Sequence, residues 1–257
     1  MVRGLYTAYT GMINQQKRLD TITNNLANAS TTGYKREGAT ARAFDEVLTV
    51  KVNDRTTGYI TQQIGSMSLG VKIGENYTDY SQGSFKNTEN TYDIAIEGNG
   101  FFSISFTNKA GEQSIKYTRD GEFTIDQEGM LRTKDGDYVQ GEGGDIMIPT
   151  DAARVAITTT GEIYADGEYI DKLLITDFED YNYLKKYGEN MYQTVDGAVE
   201  KESTALLHQG YLETSNINVV NEMVEMITIS RAYESAQKAV QTADSMTEKA
   251  VNEVGRV

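Results

Sequence analysis

The sequence predicts an α+β protein, with long terminal helices forming a coiled-coil-like pair and a central all-β domain between them. Three observations carry that expectation. An apolar heptad opens the chain, a longer one closes it, and the stretch between alternates polar with apolar residues and is punctuated by glycine. The expected organisation is a helix-bearing segment over 1–45, an extended connector over 46–75, a β domain over 76–205 and a second helix-bearing segment over 206–257.

The first helix is read from Leu5, Met12, Leu19 and Leu26, which recur every seven residues. Ala8, Gln15, Ile22 and Ala29 follow each by three, which completes an a/d seam of the kind that pairs helices. Gly11 weakens the helix locally and Gly33 marks its end or the turn beyond. Between them "TITNNLANASTTGYKR" gathers Asn24, Asn25, Asn28 and Gly33 into a helix-end joint. Asn, Ser and Thr side chains bond nearby backbone and favour such ends. Lys35 and Arg36 then face acids of a neighbour, or solvent. Residues 50–70 show no firm periodicity and read as connector.

The β domain follows from "YDIAIEGNGFFSISF" and "YTRDGEFTIDQEGMLRTKDGDYVQG", where Asp120-Gly121, Glu128-Gly129 and Asp135-Gly136 mark tight turns. In the last helix Met226, Tyr233, Val240, Thr247 and Val254 form one half of the seam. Ile229, Ala236, Ala243 and Ala250 form the other, and the alanines let a partner approach closely. Ser215 or Asn216 is the expected N-cap, and Arg231 and Glu234 are spaced to pair along the helix. Each seam is costly to leave in water, because an isolated helix is marginal. The free monomer is therefore expected to be ordered in its middle and disordered at both ends.

Composition excludes several function classes. The net charge is −14, so attraction to nucleic acid is disfavoured. Residues 1–42 carry +4, and a mildly basic head on an acidic body suits self-association. There is no cysteine, which removes disulfides, thiol catalysis and Cys-based metal sites. No apolar run is long enough to span a membrane, and "GLYTAYTGMINQQ" is too polar for a secretory signal core.

The search for catalysis ends without a constellation. His208 is the one histidine and no G-x-S-x-G accompanies it. Asp120, Asp126, Asp135 and Asp137 sit where turns account for them, and neither "GNG" nor "GEGG" leads into a phosphate loop. Asn28-Ala29-Ser30 and Asn76-Tyr77-Thr78 match a glycosylation pattern that arises by chance. The expectation is no enzyme, no cofactor and no metal.

A family pattern does emerge. "GLYTAYTGMINQQKRLDTITNNLANASTTGYKR" closely resembles the N-terminal signature of bacterial flagellar rod and hook proteins. "GYLETSNINVVNEMVEMITISRAYESAQKAVQTADSM" resembles their C-terminal signature, and "DIAIEGNGFF" with "YTRDGEFTIDQEGML" resembles their central β segment. The chain is most similar to basal-body rod proteins of the FlgF and FlgG type. The resemblance implies export through the flagellar type III apparatus without cleavage. It implies polymerisation into a helical tube that transmits torque, with other rod and hook proteins as partners. The terminal helices would line the core, with Leu5, Met12, Leu19, Ile22, Leu26, Met226, Ile229, Tyr233, Ala236, Val240, Ala243 and Ala250 as the assembly interface. A hook-type axial subunit is the alternative. A glycan-binding or glycan-cleaving β domain with helical arms is the more distant one.

Overall fold

The computed structural model describes residues 2–51, 62–108, 111–188 and 190–254. It is α+β, with one long helix near each end of the chain and strands between. Its contacts group the residues into two units.

The first unit takes residues 1–27, 37–79 and 218–257. Helix α1 spans Val2–Ala27 and helix α2 spans Val219–Lys249. Strand β1 (Glu37–Ala43) pairs antiparallel with β4 (Val71–Thr78), from Glu37 opposite Thr78 to Ala43 opposite Val71. Strand β2 (Val47–Lys51) pairs antiparallel with β3 (Gln62–Met67). The expected connector is therefore largely strand where it is described. It lacked a readable period because the side chains of Val47, Leu48, Val50, Ile64 and Met67 all stay exposed. With no inside face, a strand has no polar–apolar alternation to show.

Helix α2 begins at Asn218, whose side-chain oxygen accepts from Asn221 N at 3.1 Å. That cap supports the helix by about 1 kcal/mol and corrects the expected Ser215 or Asn216. Both of those are engaged elsewhere. Ser215 Oγ accepts from Ile217 N, while Asn216 accepts from Arg36 N at 2.8 Å and donates to Ser81 O. Beyond Lys249, residues Ala250–Val254 continue in a wider helical turn. The side chain of Val254 lies outside the described residues.

The second unit takes residues 28–36 and 80–217. Its strands are β5 (Phe85–Asn87), β6 (Ile94–Glu97), β7 (Phe101–Thr107), β8 (Gln113–Thr118), β9 (Phe123–Ile125), β10 (Leu131–Thr133), β11 (Tyr138–Gly141) and β12 (Gly144–Asp145). They continue as β13 (Val155–Ile157), β14 (Glu162–Ala165), β15 (Glu168–Lys172), β16 (Ile175–Phe178), β17 (Leu184–Tyr187), β18 (Met191–Thr194), β19 (Glu200–Glu202), β20 (Leu206–Gln209) and β21 (Tyr211–Glu213). The main sheet runs β17-β18-β8-β7-β11-β10-β9, with β16 also on β7. Three strands, β13-β14-β15, form a second sheet.

Strand β7 is central, and neighbouring residues on a strand face opposite ways. Phe102 packs with Ile94, Ile96, Phe123, Leu131 and Val139, while Phe101 packs with Tyr117, Phe178, Leu184 and Tyr192. Each buried aromatic ring or branched chain of this kind contributes roughly 1.5–3 kcal/mol. Both faces of β7 are covered, so residues 101–105 are buried without interruption where alternation was expected. Ser103 is accommodated there by a 3.0 Å hydrogen bond to Thr176. Two of the three expected turns fall where glycine was read, whereas Asp120-Gly121 joins β8 to β9, which pair with other strands and not with each other, and is no hairpin turn. Gly129 N reaches Asp126 O and Gly136 N reaches Thr133 O, both glycines at positive φ.

Candidate assembly surface and helix-end joint

In the first unit polar contacts join α1 to α2. Arg18 Nη2 meets Glu225 Oε1 at 3.1 Å, and Asn25 Nδ2 donates to Glu222 Oε2 at 3.3 Å. Advancing along α1 moves backwards along α2, so the helices are antiparallel here. Ile22 and Ile229 are buried within this one chain. Leu5, Met12, Leu19, Leu26, Met226, Tyr233, Ala236, Val240, Ala243 and Ala250 are half-buried. Residues 7 and 10 of α1 also engage the β3–β4 turn, where Thr7 Oγ1 donates to Leu69 O and Thr10 Oγ1 accepts from Val71 N. Arg231 and Glu234 are exposed and do not pair with each other.

The joint residues separate into distinct roles. Asn24 is exposed. Asn25 is fully buried, and its amide reads both backbone groups of Glu37. Oδ1 accepts from Glu37 N at 3.0 Å, and Nδ2 donates to Glu37 O at 2.8 Å. One side chain thus gives the start of β1 what a neighbouring strand would give it. Asn28 starts the turn that follows, with Thr31 N on its carbonyl and Thr31 Oγ1 on its Oδ1. Gly33 sits at φ 67 and donates to Glu213 O at 2.8 Å. A Cβ there would lie 2.6 Å from the Arg119 carbonyl carbon, so this position needs glycine for space as well as for conformation.

Lys35 corrects the expectation of a solvated or neighbour-facing cation. It is 1% exposed, and its Nζ lies 2.6 Å from Glu213 Oε1 and 2.9 Å from Ser81 O. Arg119 Nη1 holds the other Glu213 oxygen at 3.2 Å, and Gly83 N donates to the first at 2.8 Å. Arg119 Nη2 also reaches Gly98 O at 2.6 Å. This buried triad ties the residues after the joint to β21, to the end of β8 and to the loop before β5. Next to it, burial pushes the Asp120 carboxyl up to about 6, and the Glu122 carboxylate adds to the rise. The Glu122 backbone N–H and Lys134 oppose that shift. Asn190 Nδ2 lies 3.5 Å from Asp120 Oδ2 and donates to Thr32 O, while its own Oδ1 is buried without a partner among the described residues.

The groups first considered for chemistry are dispersed. His208 Nε2 contacts Glu97 Oε2 at 2.6 Å on a half-exposed surface beside Phe85. Among the described residues no three His, Cys, Asp or Glu side chains gather as a metal site would need, and no helix is long and apolar enough to cross a membrane. A cleft of ≈ 490 Å³ lies among Asn87, Asn90, Arg154, Gln209 and Tyr211. The Gln209 amide in it is spent on Ile157 N, Thr91 O and Val155 O.

Three family models match the chain in order. Residues 5–35 match the flagella basal body rod protein model, and 95–165 match the flagellar hook protein FlgE/F/G D1 domain. Residues 208–253 match the flagellar basal body rod FlgEFG protein C-terminal model. The chain is 36% identical to the flagellar basal-body rod protein FlgG of Agrobacterium fabrum, with 95% of this chain and 97% of that one covered. It is 34% identical to FlgG of Bacillus subtilis, covering 98% and 99%. It is 31% identical to the flagellar basal-body rod protein FlgF of Caulobacter vibrioides over the whole of both chains. With the joint, the terminal helices and the β unit all inside these matches, the chain belongs to the family of flagellar basal-body rod proteins, which are structural components of the flagellum.

Proposed function

We propose that this chain is a structural rod subunit that assembles with copies of itself into a helical tube transmitting torque from motor to hook. The observation that carries the reading is the helix pair whose seam is only half-covered in one copy. Ten of the twelve seam residues retain exposure, and burying the remainder against further helices is the gain that drives assembly. In this reading α1 and α2 form a coiled-coil-like pair in the tube core. Other rod and hook proteins cap the series at each end, and the subunit reaches its site through the flagellar type III apparatus without cleavage.

The seam residues supply the test. Ala236→Glu or Ala243→Glu places a charge where a close helix approach is needed. Purified wild-type protein should form straight tubes in electron micrographs as its concentration rises. Either variant should remain in the supernatant on sedimentation, with the β unit still folded. Normal tubes from both variants would overturn the assignment of the seam to the core.

A further inference from the structure

The turn between β6 and β7 reads Gly98-Asn99-Gly100, and Asn99-Gly100 is the one Asn-Gly pair in the sequence. An asparagine amide is most open to attack by the next backbone nitrogen when glycine follows, because no Cβ stands in the way. Three features of the fold leave that attack open here. Asn99 is exposed, and its side-chain amide has no hydrogen-bond partner among the described residues. The Gly100 N–H has none among them either, although backbone donors inside a protein are ordinarily paired. Finally, the Asn99 carbonyl, which shares a peptide group with that N–H, accepts from Ser203 Oγ at 2.6 Å. Ala205 N donates to Ser203 Oγ at 3.1 Å, which turns the hydroxyl proton towards Asn99.

The contact with Ser203 bears on acidity. When Gly100 N loses its proton, charge spreads onto the Asn99 carbonyl oxygen, and a donor aimed at that oxygen stabilises it. Ser203 thereby helps to make the nitrogen a nucleophile. The glycine itself is fixed by space. A Cβ on Gly100 would lie 2.7 Å from Ser203 Oγ and 2.8 Å from Ile175 Cγ2, and its φ is 138. The residue that the packing requires is the one that leaves Asn99 open.

We propose that Asn99 is a site of spontaneous covalent modification, converted from amide to acid through a cyclic imide with Gly100. Gly100 N gives its proton to solvent and bonds to Asn99 Cγ. The Cγ–Nδ2 bond breaks and ammonia leaves. Water then opens the ring. Breaking the new Gly100 N–Cγ bond gives aspartate, and breaking the bond from Gly100 N to the Asn99 main-chain carbonyl carbon gives isoaspartate. Water is the only co-reactant, and nothing is oxidised or reduced. Either product adds a negative charge to the turn that follows Glu97, which already contacts His208 at 2.6 Å. Isoaspartate also lengthens the main chain in a turn held by Arg119 Nη2 on Gly98 O at 2.6 Å and by Gln82 Oε1 on Gly98 N at 3.2 Å. The modification therefore bears on Arg119, a member of the buried triad.

Ageing the folded full-length chain tests it. Wild type is held in mildly alkaline or mildly acidic buffer and then digested with trypsin. In the alkaline sample peptide 87–109 should gain the mass that separates an acid from an amide and split into two chromatographic species. One of them should accept a methyl group from an isoaspartyl methyltransferase, and the acidic sample should show far less of both. Asn99→Gln should give neither species. Ser203→Ala, with its circular dichroism unchanged, should convert about three- to tenfold more slowly than wild type when folded. In concentrated urea, where the Ser203 contact is gone, the two should convert at the same rate. If folded wild type stays unmodified while the urea-unfolded chain converts, the fold shields Asn99 and the proposal fails. It fails equally if folded Ser203→Ala converts as fast as wild type.

Discussion

Glu213 is a single carboxylate holding two buried cations, and that arrangement is costly to break. Glu213→Gln would remove the carboxylate that Lys35 and Arg119 share in the interior. The expected loss is about 3–5 kcal/mol of stability in the β unit, read as a lower urea midpoint. Asp120 gives a pH signature. Its folded value near 6 lies above the ordinary 3.8, so the folded state holds the proton more tightly than the unfolded chain. That contribution is fully present below about pH 3.8 and is lost as pH rises through about 6. Asp120→Asn keeps an acceptor for Glu122 N and offers a donor to the unpartnered Asn190 Oδ1. The variant should match wild type at pH 4 and exceed it by pH 7.5, by on the order of 3 kcal/mol at most, in urea titrations at the two pH values. Neither group was legible in the sequence. Lys35 stands in a turn-rich stretch where a lysine reads as solvated, and its partner Glu213 is 178 residues away. Asp120-Gly121 reads as an ordinary turn because its burial comes from distant residues.

At the scale of elements, the helices were legible and their ends less so. A seven-residue repeat is a strong signal because it survives the choice of any one residue, and both helices lie where it runs. The start of α2 was misplaced because Ser215, Asn216 and Asn218 are all competent caps, and only the tertiary partners of the first two release the third. The β2–β3 ribbon was missed because its apolar residues are not sorted to one side. A two-stranded ribbon with exposed Leu48 and Ile64 is marginal in water by itself. The α1–α2 pairing can be probed through its buried contact. Ile229→Ala should cost about 2–5 kcal/mol in the helical unit and lower the midpoint of the helical far-ultraviolet signal. Unfolding of the β unit should keep its wild-type midpoint.

For the molecule as a whole, the two units differ in how their apolar residues are disposed. The β unit encloses two clusters of buried side chains, whereas the helical unit leaves much of its apolar surface half-covered or bare. Amide hydrogen exchange on dilute monomer should follow that division. Protection should be high across β7, β8 and β11 and several orders of magnitude lower across 5–29 and 226–250. Assembly into tubes should raise protection in the helices and leave β7 unchanged. Equal protection in both units of a demonstrated monomer would contradict this expectation.

The joint after α1 also dictates a sequence of events. Gly33 is seated against the backbone at Arg119, and both Gly33 and Lys35 are fastened to Glu213. A thread emerging from its N-terminal end would lack the residue that fastens both of them until almost five-sixths of its length had appeared. Such a closure draws together positions far apart along the chain, and its entropic toll slows it. The knot would thus be tied late, with the first helix waiting on a residue near the start of the last.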